Sequence, residues 1–217
     1  MPNALKDKKI LITAGPTREY YDPVRFLTNA SSGEMGLVLG DVLARRGACV
    51  TVVCGPTSIK PSHRFTFRPV VSALDMFQAV KHVLPSVDVF IATAAVSDWR
   101  FEKIRREKEK KGNVRTMKLR LLANPDILFE AGRFKKRKRS GPLALIGFAL
   151  ETHNVRGAMK EKLAQKKLDL IIGNTPRSFA SENIKPLWLE SKEPLRVLPR
   201  MTKHKLSSLI ADWLEEN

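Results

Sequence analysis

Ile10-Leu11-Ile12-Thr13-Ala14-Gly15-Pro16-Thr17-Arg18-Glu19, running through Asp22-Pro23-Val24-Arg25 to Asn29-Ala30-Ser31-Ser32-Gly33-Glu34-Met35-Gly36, decides the reading of the chain. Ile10 to Ala14 is an almost unbroken apolar run of strand length, the pattern of a strand covered on both faces. It stops at Gly15-Pro16, a turn signal. A long polar loop follows, and from residue 33 to residue 47 apolar residues return at helical spacing. A strand, a loop and a helix start place the open amides of a helix end beside Arg18, Arg25, Asn29, Ser31 and Ser32, a set suited to an anion. The alternative is a structural connection; two arginines, an asparagine and adjacent serines in one loop favour a site.

Outward from this stretch, short apolar runs alternate with helical patterns. Strands are expected at 9–14, 49–54, 65–70, 88–93, 117–122, 143–148, 168–173, 185–190 and 195–199, and helices at 33–47, 73–84, 125–137, 154–167 and 202–215. The alternation points to α/β: a Rossmann-like three-layer fold with a mostly parallel central sheet. Residues 185–197, turning at Ser191-Lys192-Glu193, read as a C-terminal antiparallel hairpin. Thr202 is placed to cap the last helix. The whole chain, 1–217, reads as a single domain, with a flexible basic loop at about 101–114, charged and without apolar period.

Lys and Arg number 39 against 22 Asp and Glu, a net charge of +17. Such a balance favours anionic partners: nucleotides, phosphorylated metabolites or nucleic acid. Basic residues are not interleaved with aromatics in the RNA-binding manner, so no nucleic acid partner is expected. No apolar run reaches membrane-spanning length, and residues 1–9 have no apolar leader, so a cytoplasmic protein without a membrane partner is expected. Cys49 and Cys54 fall in one strand-like stretch and read as reduced core residues. The tract 133–139 reads as a solvated basic surface.

Three further clusters could carry chemistry. In Ala92-Thr93-Ala94-Ala95-Val96-Ser97-Asp98, small residues just past a central strand let a ligand approach the backbone. Asp98 then either faces that ligand or caps a helix. Lys108-Glu109-Lys110-Lys111-Gly112 could close over a polyphosphate, or simply be solvated. At the later sheet edge stand Asn124-Pro125-Asp126-Ile127-Leu128, Gly147-Phe148-Ala149-Leu150-Glu151-Thr152 and the pair Lys162 and Lys166, one helical turn apart. Spacing alone suits a cap at Asn124, a core Phe148 and solvated lysines. The dinucleotide fingerprint is missing: Gly15 is followed by no second glycine until Gly33, and Cys54-Gly55-Pro56-Thr57 offers no acid for a ribose, which disfavours a nicotinamide dehydrogenase.

In this order the clusters resemble phosphopantothenoylcysteine synthetase (phosphopantothenate–cysteine ligase), the ligase part of the bacterial bifunctional coenzyme A biosynthesis protein. The resemblance rests on Ile12-Thr13-Ala14-Gly15-x-Thr17-Arg18-Glu19, Asp22-Pro23-Val24-Arg25, Asn29-x-Ser31-Ser32-Gly33-x-Met35-Gly36, Ala94-Ala95-Val96-x-Asp98 and Lys108-x-Lys110-Lys111. It continues with Asn124-Pro125-Asp126-Ile127-Leu128, Gly147-Phe148-Ala149-x-Glu151-Thr152 and Leu168-Asp169-Leu170-Ile171. It implies a ligase joining 4'-phosphopantothenate to L-cysteine through an acyl-nucleotide, with CTP as co-substrate, more so than ATP, and Mg2+ as cofactor. It implies catalytic roles for Lys108, Asn29 and Arg25, and substrate binding by Asn29, Arg25 and Ala94. Nucleotide binding is implied for Gly15, Ser31, Ser32, Gly33, Ala92, Thr93, Ala94, Asp98, Lys108, Pro125, Asp126, Ile127, Leu128, Phe148, Lys162 and Lys166. A homodimer sharing its sites is implied, and a separate phosphopantothenoylcysteine decarboxylase as a possible partner of a stand-alone ligase chain. The chain departs from the pattern at Glu34, where lysine is common, at Gly173-Asn174-Thr175, where Ala-Asn-Asp is usual, and at Pro16, where some members have glycine.

Overall fold

The opening apolar run forms β1 (Lys9–Ala14), buried after its first residue. Alternate side chains of a strand face opposite ways: Ile10, Ile12 and Ala14 enter one core, Leu11 the other. The computed structural model describes residues 4–113, 115–137, 143–174 and 183–217. After β1 come β2 (Arg18–Tyr20), β3 (Phe26–Thr28), α1 (Glu34–Arg45), β4 (Cys49–Cys54), β5 (Thr66–Pro69) and α2 (Ala73–Val83), the last continued by a short turn of 3-10 helix. Then follow β6 (Val89–Ala92), β7 (Trp99–Phe101), β8 (Leu121–Ala123), α3 (Ile127–Arg137), β9 (Ala144–Leu150), α4 (Val155–Gln165) and β10 (Leu170–Asn174). The chain closes with β11 (Asn183–Ile184), β12 (Leu187–Glu190), β13 (Arg196–Val197), β14 (Met201–Thr202) and α5 (Lys203–Glu216).

Among the described residues the main sheet has eight strands in the order β13-β12-β10-β9-β6-β1-β4-β5. Every pair from β5 across to β10 is parallel. β12 and β13 add the expected antiparallel hairpin. Helices α1 and α5 cover one face, through Leu39, Leu43, Leu206 and Ile210. Helices α2, α3 and α4 cover the other, through Met76, Val80, Ala131 and Met159. This is the three-layer α/β fold read from the sequence. Each fully buried Leu or Ile contributes about 1.5–3 kcal/mol by leaving water.

From β1 the chain steps outward to β4 and β5 on one side; from β6 it steps to β9 and β10 on the other. Strand order thus reverses between β1 and β6, and beside the carboxyl ends of strands at such a reversal open sheets form a crevice that binds ligands.

Some local expectations are corrected. The opening loop contains a ribbon, β2 paired antiparallel with β3. The strand placed at 117–122 is only Leu121–Ala123, and it pairs with β7 outside the main sheet. Both ribbons are too short and too polar in their flanks to show strand periodicity. Cys54 is buried, but Cys49 starts its strand at the exposed edge and is no core residue. The third helix starts at Ile127 because Asp126, not Asn124, is its cap: Asp126 Oδ1 accepts from Phe129 N at 2.9 Å. Thr202 caps α5 as expected, accepting from Lys205 N at 3.1 Å. The end of the 133–139 tract, Thr175 and the first three residues lie outside the described residues.

Helix α1 seats directly on the crevice. A Cβ at Gly36 would fall 2.5 Å from Ala14 Cβ and closer still to Thr93 Oγ1. Gly36→Ala is therefore expected to push α1 off β1 and cost about 1–3 kcal/mol. A denaturant midpoint equal to the parent's would refute this close seating.

Candidate active site

A cavity of about 490 Å³ opens at the crevice. Its walls are the segment 29–36 entering α1, the segment 93–96 leaving β6, the end of β9 at Phe148, Ala149 and Leu150, and part of α5. Gly33 is the N-cap of α1 with φ +81°, and it provides no capping side chain. Only glycine adopts that backbone freely, and a Cβ there would press on Gly15 Cα at 3.0 Å. The first-turn amides of residues 35 and 36 have no acceptor within the helix, which makes this wall receptive to an anion.

The walls are pinned by loop bonds. Thr93 Oγ1 donates to Thr13 O at 2.7 Å, and Ala95 N to Gly15 O at 3.0 Å. Thr57 Oγ1 donates to Ser32 O at 2.7 Å. Asn29 spends both amide hydrogens on this frame, donating to Ala95 O at 3.0 Å and Val96 O at 3.1 Å. What remains for a ligand is its carbonyl oxygen, an acceptor. Asn29, Ser31, Ser32, Gly33, Thr93, Ala94 and Phe148 thus share one cavity. Gly15 lies behind Gly33 in the turn, and Ala92 is still in β6.

Arg25 and the Lys108 segment meet elsewhere, at the β2–β3 turn. Fully buried Asp22 organises that place. Its Oδ2 accepts from Arg25 Nε at 2.9 Å and from Glu109 N at 3.1 Å, and its Oδ1 from Val24 N and Arg25 N. Arg25 also donates to Glu109 O at 2.7 Å, and Tyr21 OH to Glu109 Oε2 at 3.1 Å. The Arg25 guanidinium, with the backbone amides, holds the Asp22 carboxyl well below the usual carboxylate range. Lys108, next to this anchor, is exposed. The basic segment is thus fastened at Glu109, and at Arg105, whose N donates to Tyr21 O at 2.8 Å.

The later residues form a third group. Asp98 is exposed and leads into β7, so it caps no helix; it is not among the cavity's walls. Its carbonyl accepts from Asn124 N at 2.8 Å, while Asn124 Nδ2 donates to Ser97 O at 2.9 Å. Ile127 is core, and Leu128 packs over Gly147. Asp126 pairs with Lys166 at 2.6 Å, next to half-buried Pro125. Lys162 pairs with Glu151 at 2.6 Å, just past Leu150 in the cavity wall.

The family model for the "DNA/pantothenate metabolism flavoprotein C-terminal domain" matches residues 5–217. This chain belongs to that family. Coenzyme A biosynthesis bifunctional protein CoaBC of Escherichia coli strain K12 is 39% identical over 217 residues, 97% of this chain and 52% of that protein. CoaBC of Bacillus subtilis strain 168 is 40% identical over 209 residues, 94% of this chain and 50% of the relative. The chain spans about half the length of these curated relatives. A crystal structure of the C-terminal domain of CoaBC superposes with a TM-score of 0.83 at 36% identity, covering 99% of this chain and 97% of that one.

The geometry also brings in wall residues that sequence reasoning missed: Ile172, Ile184, Lys203 and Leu206. They come from the last quarter of the chain, and no local pattern ties them to the opening loop. Glu34, noted only as a departure, is a wall residue too.

The lowered Asp22 pKa sets a pH test. A carboxyl depressed on folding stabilises above its unfolded pKa, about 3.9, and that contribution fades as pH falls below it. The stability gap between the parent and Asp22→Asn is expected to be constant from about pH 8 to 5 and to shrink below about pH 4. Denaturation midpoints across this range check it; a gap that widens in acid would contradict the assignment.

Proposed function

We propose that this chain is a phosphopantothenate–cysteine ligase of coenzyme A biosynthesis. The carboxylate of 4'-phosphopantothenate attacks the α-phosphorus of CTP, and pyrophosphate leaves. The amine of L-cysteine then attacks the acyl carbon of the mixed anhydride, giving 4'-phosphopantothenoylcysteine and CMP. The observation that carries this reading is the cavity at the reversal of strand order, bounded by an open helix start and small residues, in a chain of this family.

Each group has a chemical part. Amides at the start of α1, with Ser31, Ser32 and Gly33, receive phosphate oxygens. Small residues at Thr93 and Ala94 let the reacting atoms reach the backbone, and Phe148 offers a flat apolar wall to a base. The remaining acceptor of Asn29 orients an N–H or O–H of the acid or the cysteine. Lys108 brings an ammonium to charge that grows on the α-phosphate. Asp98, Pro125, Asp126, Leu128, Lys162 and Lys166, which lie outside the cavity walls, are assigned to the outer nucleotide side, with Ile127 holding α3 in the core behind them and Gly15 and Ala92 shaping the floor. Among the described residues no group of three His, Cys, Asp or Glu could hold a metal. Mg2+ would supply neutralisation of the triphosphate's charge as the carboxylate approaches.

Arg25 and Lys108 do not line the cavity of their own chain. A homodimer that delivers them to a neighbouring cavity accounts for this. Supporting it, β2–β3 and β7–β8 expose Phe26, Leu27, Trp99, Leu121 and Leu122, an apolar surface suited to a second copy. A phosphopantothenoylcysteine decarboxylase is the proposed partner, and the cytoplasm the proposed location.

CTP, phosphopantothenate and cysteine together are expected to release pyrophosphate, faster than with ATP. Lys108→Gln is expected to lower kcat by on the order of 10² to 10³. An unchanged rate removes Lys108 from the chemistry. Trp99→Glu is expected to yield a monomer by sedimentation and to lose activity; an active monomer would sink the shared-site reading.

A further inference from the structure

Two charged side chains line the cavity among the described residues, Glu34 and Lys203. They come from different helices and are paired, Lys203 Nζ donating to Glu34 Oε2. Glu34 is the first residue of α1 and Lys203 the first of α5. A carboxylate suits a helix start; a cation does not, because the macrodipole there opposes it. α5 already has its cap in Thr202, so helix stability does not account for Lys203. The lysine is also the hidden partner: its side chain is 13% exposed, against 45% for Glu34. Withdrawing an ammonium from water is costly unless anionic acceptors face it. Among the described residues its ammonium donates to Glu34 in the cavity wall, beside the open amides of α1.

We propose that Lys203 is a phosphate-binding residue of this cavity and that Glu34 is its resident counter-ion, displaced when a phosphate group enters. A phosphate group carries more charge and more acceptor oxygens than a carboxylate, so it replaces Glu34 at Lys203 without leaving the ammonium unpaired. The half-exposed Glu34 turns to water at small cost. The pair neutralises this part of the wall, and on phosphate entry the link between α1 and α5 is exchanged for a link from α5 to the ligand.

The inference rests on the proposed ligase function, which provides two sources of phosphate: the nucleotide's triphosphate and the phosphomonoester of phosphopantothenate. Calorimetric titration of the full chain separates them, using CTP against cytidine and phosphopantothenate against pantothenate. Lys203→Met is expected to weaken one phosphorylated ligand by about ten- to a hundredfold and to leave its unphosphorylated counterpart unchanged. The ligand that responds identifies the source. Glu34→Gln keeps the lysine and removes its competitor, so it is expected to tighten the same ligand, and it serves as the test if Lys203→Met does not fold. A parent that binds both phosphorylated ligands, with both variants matching it, overturns this inference alone. Equal weakening with and without phosphate overturns it too. A parent that binds neither ligand overturns the ligase reading and this inference with it.

Discussion

The rim of the sheet depends on how closely α1 approaches β1. Position 36 has no room for a methyl group, because Ala14 and Thr93 stand against it. Gly33 folds back over Gly15 in a backbone conformation that other residues resist. These two contacts hold the helix start low over the point where strand order reverses. The amides of α1 then face the segment leaving β6, and the gap between them is the cavity. A wider approach would leave a shallow surface with dispersed donors. Close packing here serves both stability and the geometry of binding.

Around that seat, Thr17, Asp22 and Asn124 each tie down loop backbone by hydrogen bonds and act as frame. Asp22 is the extreme case, fully buried with its oxygens shared among Arg25 and three amides. Burial of such a carboxylate is tolerable because it is so fully bonded. Its service is to fasten the basic segment at Glu109, leaving Lys108 exposed nearby. Asn29 acts as frame from the cavity wall: its amide hydrogens frame the loop, and its carbonyl oxygen is the acceptor that remains. The late lysines, Lys162 and Lys166, are held by acids, Glu151 and Asp126.

Much of the fold was legible in local pattern. Ile10 to Ala14 announced a covered strand, since a strand buried on both faces needs an unbroken apolar run. The alternation with helical stripes announced a parallel sheet, and Gly33 with its neighbours announced the helix start. The ribbons β2–β3 and β7–β8 were not legible. Strands of three residues are stabilised by partners distant in sequence, not by a period of their own.

The sequence by itself determined the layered architecture and the ordered motifs, because backbone period and turn chemistry act over a few residues. It also determined the family, since so many motifs in one order leave little room for another reading. Tertiary structure alone decided which motif residues share a space. Asn29, Thr93 and Phe148 come together, while Arg25 and Glu109, the neighbour of Lys108, gather around Asp22 instead. It also decided that Lys203, from the last helix, faces Glu34 from the first. Charges that meet across so long a chain separation leave no trace in spacing; only the folded sheet, with α1 and α5 on one face, brings them within reach.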